Sequence, residues 1–492
     1  MKYVLMLFLS AVLIISCASS VKDAKENTTT VASTTASSDE QKIDVPAGED
    51  SLIMVFNIKN QPAGTAKLVG MFEDQRFIVD SAKIDANGHF ELSRRKLLPQ
   101  GYYYFIMPGR KNSVQLLIDK DQRFELDGDI HDLANTAQVK GSTCMQLFYE
   151  NMKFQSELDQ KIRAVSPQLK GGPQSPQFKA AKAKYDKLVD QIENKVKEYQ
   201  QKYPNNFFTK FKVAGQNPKL SYPLKANGTL DTAKQVYDYR SQFWDGYDFS
   251  EHDLLRTPVF VNKIKRYFTE LVPLNQDSII KYTDILVTKA GDNEPYFRAI
   301  TNWVALKFEP GHTNLMDGEA VYSHIINKYF TDELATWSTH EELEKLRTRA
   351  KEMMPSLLGK TAQNVTAKDK NGHFQTLLDS KSPLLVVFIY SPDCEHCQEQ
   401  TPKLINIYNQ WHNKGVDVYS IAANTTEKEW KQFGHRFNMP WRDVFDATNA
   451  SWYPKYFVDL TPEVYLLDQN RKIVAKNIKV TQLPILFKRY LR

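Results

Sequence analysis

Leu384-Leu385-Val386-Val387-Phe388-Ile389-Tyr390 is apolar throughout, breaks at Ser391-Pro392-Asp393, and leads straight into Cys394-Glu395-His396-Cys397. An unbroken apolar run of this length, closed by turn residues, reads as a strand buried on both faces. Helical spacing then continues from about Cys394 to Trp411. The cysteines therefore fall in a first helical turn, where two intervening residues let the sulfurs meet. The first cysteine has free helical N–H groups and the positive end of the helix dipole behind it, so its thiolate is favoured. Cys394 is the expected nucleophile, and Cys397 the thiol that resolves a mixed disulfide. The residues between them act in opposite senses: His396 favours the thiolate, whereas Glu395 disfavours it, and an intermediate reduction potential is expected.

The segments that follow alternate in the same manner. A strand is expected at Val416 to Ala422, a helix from about Glu427 to Phe437 and a strand at Glu463 to Leu467. After a turn at Asp468-Gln469-Asn470 come a strand at Lys472 to Ala475 and a last helix near Pro484 to Leu491. A β-α-β-α-β-β-α order implies an α/β layer fold over residues 356–492.

With these motifs in place, the region resembles the thioredoxin-fold thiol-disulfide oxidoreductases of the membrane-attached TlpA/ResA-like class. Pro402 stands where such proteins kink the first helix, and Thr461-Pro462 matches their cis-proline loop facing the redox pair. The resemblance implies that Thr461 and Pro462 position the substrate chain. It covers only the C-terminal region, and there are departures. Asp393 replaces a frequent tryptophan, Phe388 stands where thioredoxins keep a buried aspartate, and Gln400 stands where ResA-like proteins have glutamate. Proton transfer must then use Glu395, His396, Glu399 or water.

Other chemistries of a Cys-x-x-Cys pair fail on spacing. A c-type haem needs histidine at Gln398, and a structural zinc site needs a second ligand pair that the sequence lacks. Ser391-x-x-Cys394 resembles a peroxidase thiol motif, but Val387 stands where that motif has proline. No metal and no cofactor are expected. His340-Glu341-Glu342 begins like a zinc-protease helix, yet Glu344 occupies the second histidine's position.

Upstream, residues 50–130 show short apolar runs separated by turns such as Asp85-Ala86-Asn87-Gly88, which reads as an antiparallel, sandwich-like β-domain. The run Tyr102-Tyr103-Tyr104-Phe105 is expected to alternate in burial within a strand. Residues 131–355 have helical periodicity punctuated by proline and glycine, and form the expected helical middle domain. Cys144, at a helix start, reads as a small buried thiol rather than a reactive one.

Residues 1–17 carry Lys2, a short apolar centre and Ile14-Ile15-Ser16-Cys17, which resembles a bacterial lipobox with Cys17 as the lipidated residue. Residues 18–49 are rich in Ser, Thr and Ala and are expected to form a disordered tether. Asp50-Ser51-Leu52, Asp80-Ser81-Ala82, Asp231-Thr232-Ala233 and Asp277-Ser278-Ile279 resemble an O-glycosylation pattern of Bacteroidota envelope proteins.

With 64 basic and 58 acidic residues among 492, the net charge of +6 is too weak a bias for a nucleic-acid partner. The expected protein is a multidomain lipoprotein of the cell envelope, lipid-anchored at the outer membrane and facing the periplasm. It would exchange disulfides with protein or peptide thiols and meet an upstream electron donor or acceptor protein. The alternative is an envelope binding lipoprotein whose thioredoxin-like domain is structural or vestigial.

Overall fold

The computed structural model describes residues 51–491 apart from 171 and 172. The signal-like segment, Cys17 and the tether of residues 18–49 lie outside the described residues. The chain divides into two compact units after Leu271.

The first unit opens with β1 (Leu52–Lys59), β2 (Gly64–Phe72), β3 (Gln75–Ile84), β4 (His89–Arg94), β5 (Gly101–Ile106), β6 (Ser113–Ile118), β7 (Arg123–Asp129) and β8 (Gln138–Lys140). They form two four-stranded sheets, ordered β4-β1-β7-β8 and β3-β2-β5-β6. Alternate residues of β1 are buried, and Phe56 stacks on Phe90 at 4.6 Å and meets Phe105 edge-on at 5.2 Å. Such aromatic pairs add to the burial of their area. Pairing departs from the antiparallel expectation at one place: β1 and β7 run parallel, Ile53 opposite Arg123. Between them the chain crosses to the other sheet and back twice, pausing at β4 antiparallel to β1, so β7 returns beside β1 in the same direction.

Helices α1 (Thr143–Val165), α2 (Pro176–Lys202), α3 (Phe207–Ala214), α4 (Thr232–Ser241) and α5 (Pro258–Arg266) complete this unit. Ser142 caps α1 by accepting from Met145 N–H. Cys144 behind it is fully buried, donates to Leu117 O at 3.3 Å, and has its thiol pushed well up by burial. It packs as a small hydrophobe. Ser51 is buried and bonded to Arg123, which removes it as a glycan acceptor.

The second unit starts with α6 (Gln276–Ala290), α7 (Glu294–Lys307), α8 (Gly318–Tyr329) and α9 (His340–Met353). The expected helical middle is thus divided between the two units. After α9 come β9 (Thr366–Lys368), β10 (Phe374–Thr376), β11 (Leu384–Tyr390), α10 (Glu395–Trp411), β12 (Val416–Ala422), α11 (Glu427–Phe437), β13 (Arg442–Phe445), β14 (Glu463–Leu467), β15 (Ile473–Ala475) and α12 (Leu483–Tyr490). The β9–β10 hairpin was not anticipated from the sequence.

The strands form one seven-stranded sheet, ordered β10-β9-β13-β12-β11-β14-β15. β11 lies inside it, parallel to β12 and antiparallel to β14, and every one of its residues is buried. That accounts for its apolar sequence. Phe388, Tyr390, Cys397, Leu404, Phe433, Val464 and Phe487 fill the core on one face, which takes side chains from α10, α11 and α12. On the other face Val387, Ile389 and Tyr465 pack with Trp452 and Tyr456.

Candidate active site

β11 delivers the chain to the carboxyl end of the sheet at Tyr390, and the turn that follows is closed by Cys394 N–H donating to Ser391 O at 3.2 Å. Cys394 is the N-cap residue of α10, with extended backbone, while Cys397 lies in the first turn. Both are free thiols; Cys394 is partly exposed and Cys397 is fully buried. The Cys394 thiol donates to Thr461 O at 3.2 Å. The Thr461–Pro462 peptide is cis. The structure thus brings Cys394, Cys397 and the Thr461-Pro462 loop into one place, and Pro402 lies inside α10 as the sequence reading placed it.

The two thiols are electrostatically unequal. Partial burial works against the Cys394 thiolate, but hydrogen bonds from the side chains of Cys397 and Thr461 and from the backbone N–H groups of Cys397 and His396 outweigh it and lower the pKa. Burial pushes the Cys397 thiol up to about 12, reinforced by its hydrogen bond with Cys394. His396 acts on Cys394 through its backbone N–H, and the side chains of Glu395, His396 and Glu399 are exposed. Asp393 is bonded by the Ser391 hydroxyl.

Two groups of residues near this site escaped the sequence reading. Asp443 on β13 accepts from Ser420 Oγ at 2.5 Å, Trp430 Nε1 at 2.6 Å and Tyr390 Oη at 3.1 Å. Burial raises its carboxyl to about 6 against these donors. Tyr390 stacks on Phe388 at 5.5 Å and shares a core with Cys397. A lone aspartate after Trp441-Arg442 carries no motif, and its donors come from three separate elements.

The second group follows Pro462 directly. Glu463 accepts Asn477 N–H at 2.9 Å and is almost fully buried, and Lys476 is buried beside it. Among the described residues no cluster of three or more His, Cys, Asp or Glu side chains is arranged to hold a metal ion.

Residues 357–486 match the Redoxin family model, and residues 56–173 match a domain of unknown function, DUF4369. Thiol-disulfide oxidoreductase ResA of a Bacillus cereus strain is 26% identical over 121 residues, which are 25% of this chain and 69% of that protein. A crystallised domain of a possible thiol-disulfide isomerase from Cytophaga hutchinsonii is 32% identical, with 27% of this chain and 92% of that one covered and a TM-score of 0.26. A thioredoxin-like protein from Bacteroides caccae is 16% identical, with a TM-score of 0.46 over 56% of this chain and 99% of its own. The C-terminal part of the chain, built around the strand, turn and cysteine pair described above, belongs to the TlpA/ResA-like thioredoxin-fold thiol-disulfide oxidoreductases.

Proposed function

We infer that this protein exchanges disulfides with protein or peptide thiols through Cys394 and Cys397, outside the cytoplasm and tied to a membrane by lipid on Cys17. The observation that carries the chemistry is the inequality of the two thiols: one accessible with a lowered pKa, the other buried and held protonated. The Cys394 thiolate attacks one sulfur of a substrate disulfide, forming a mixed disulfide and expelling the other substrate sulfur as a thiolate. Cys397 then loses its proton and attacks Cys394 Sγ. The second substrate sulfur leaves, two electrons have passed to the substrate, and the protein holds a Cys394–Cys397 disulfide. Run in reverse, the same steps oxidise a dithiol. A donor or acceptor protein upstream restores the pair.

The backbone at Thr461, already the partner of Cys394, supplies the edge against which a substrate chain is aligned. The anchoring rests on residues 1–49, whose lipobox-like end and polar tether suit a domain standing off the outer membrane into the periplasm. No helix among the described residues is long and apolar enough to cross a membrane.

The test is insulin reduction in the presence of dithiothreitol by the full chain and its Cys394→Ser variant. Loss of the catalysed rate in the variant is expected; retention of it would overturn the assignment.

A further inference from the structure

Behind the Thr461-Pro462 loop lies a buried group of charges with an unequal count. Glu463 on β14 bonds Asn477 N–H, and the Asn477 side chain donates to both carboxylate oxygens of Glu319 at 2.9 and 3.0 Å and to Met316 O at 3.3 Å. Lys476 Nζ lies 3.3 Å from Glu319 Oε1 and 3.9 Å from Asp317 Oδ1. Asp317 also caps α8 at Ala320 N–H and accepts Leu358 N–H at 2.8 Å. Tyr465 of the same strand lies under the Lys476 ammonium, 5.5 Å from ring centroid to nitrogen. The charged and titratable groups facing Glu463 are therefore Lys476, Glu319, Asp317 and Tyr465.

Asp317, Glu319 and Glu463 are 1%, 3% and 7% exposed, and Lys476 is 0% exposed. One buried ammonium cannot compensate three buried carboxylates, so a carboxyl of the group keeps its proton. Burial, with the nearby Glu319 charge, raises Glu463 to about 8 despite Lys476, whereas Asp317 is raised only to about 6. Glu463 is then the acid that stays neutral at pH 7.

A continuous path runs from this group to the reactive sulfur. Glu319 of α8 holds Asn477, Asn477 holds Glu463, and Glu463 adjoins Pro462 and Thr461, whose carbonyl accepts from Cys394. Resting on the thiol-exchange reading above, we propose that Glu463 is a positioning residue of that chemistry. It holds the Thr461-Pro462 segment against Cys394 as a neutral acid, under the control of Glu319 on α8. Ionisation of Glu463 would place a charge on the side chain that holds this segment, so the reactivity of Cys394 should follow the Glu463 ionisation as well as its own. Residues 276–353 are in this sense part of the redox site.

The test is the pH profile of Cys394 alkylation by iodoacetamide in the reduced full chain, read at the Cys394 peptide by mass spectrometry. The unmodified chain should give a rate that rises over a wider pH range than one ionisation, with its second inflection near pH 8. Glu463→Gln should collapse the profile to a single ionisation. Glu319→Gln, which removes one neighbouring anion, should move the second inflection to lower pH. Glu463→Gln and Glu319→Gln profiles superposing on that of the unmodified chain would overturn the proposal. Should Glu463→Gln fail to fold, the direction of the Glu319→Gln shift decides alone. Insulin reduction is measured in parallel: its absence from the unmodified chain refutes the exchange reading, independently of the alkylation profile.

Discussion

The sulfur of Cys394 lies 3.2 Å from the carbonyl oxygen of Thr461, so the reactive atom and the backbone edge beside it form one surface. Cys397, three residues on from Cys394, is sealed in the core with Phe388, Tyr390 and Leu404. Reagents should therefore separate the two thiols. With a pKa of about 12, Cys397 has a thiolate fraction at pH 8 of about one in ten thousand, whereas Cys394 is lowered from its ordinary value. Brief iodoacetamide treatment of the reduced chain near pH 7.5 should modify Cys394 and spare Cys397 and Cys144. Equal labelling of Cys394 and Cys397 on peptide mapping would show that the burial assigned to Cys397 is wrong.

Removing the resolving thiol should leave the attack and abolish the release. In a Cys397→Ser chain, Cys394 still carries the hydrogen bond to Thr461 and the N–H of His396, and its partner sulfur is gone. Incubation with a disulfide-containing peptide should accumulate a 1:1 mixed disulfide, visible as an added peptide mass on non-reducing mass spectrometry and removed by dithiothreitol. Turnover should fall at least tenfold. No trapped adduct would mean that Cys394 is not the entering nucleophile.

The parts of the site legible in the sequence are those encoded by neighbours in the chain. The buried strand before Cys394, the spacing to Cys397, Pro402 and Thr461-Pro462 are local patterns, and β14 runs from Glu463 to Leu467 as read from its apolar residues. The β9–β10 hairpin escaped because each strand is three residues long, although Asn371-Gly372 marks its turn and Gly372 has φ of +84°. Glu463, Lys476 and Asp443 escaped for another reason. Charged residues in polar sequence read as solvated, and only the packing of α8 against the segment after β15, or of β13 beside β12, buries them. Residues more than a hundred positions apart, such as Glu319 on α8 and Asn477 after β15, leave no periodic trace.

Asp443 should show its burial as a pH-dependent stability. Its carboxyl ionises at about 6 in the folded chain against an ordinary 3.8. A raised acid favours the folded state fully below the ordinary value, and that contribution is lost as pH rises through the folded value. The stability advantage of the unmodified chain over Asp443→Asn should therefore narrow between about pH 4 and pH 6. Urea unfolding followed by tryptophan fluorescence at each pH gives the comparison, Trp430 being one of the donors to Asp443. An advantage that widens over this range would mean that the donors Ser420, Trp430 and Tyr390 hold the carboxylate as an anion.

Lys476 gives the sharpest contrast between a buried and an exposed lysine in the same unit. Its ammonium has no solvent access and sits between Glu319 and Asp317, whereas Lys345 pairs with Glu341 with both side chains largely in water. Lys476→Met fills similar volume but leaves buried anions without a counter-charge, at a cost of about 3–5 kcal/mol. Lys345→Met removes an exposed i,i+4 pair, which is screened and worth about 0.5 kcal/mol. The same urea and fluorescence measurement at pH 8 should show a large fall in midpoint for the first variant and almost none for the second. At pH 5, where Asp317 and Glu463 are both protonated, the first deficit should shrink, because fewer anions remain to be compensated. A Lys476→Met deficit that is independent of pH would assign the loss to packing. The carboxyl groups behind Pro462 would then not be sharing protons in the way their burial requires.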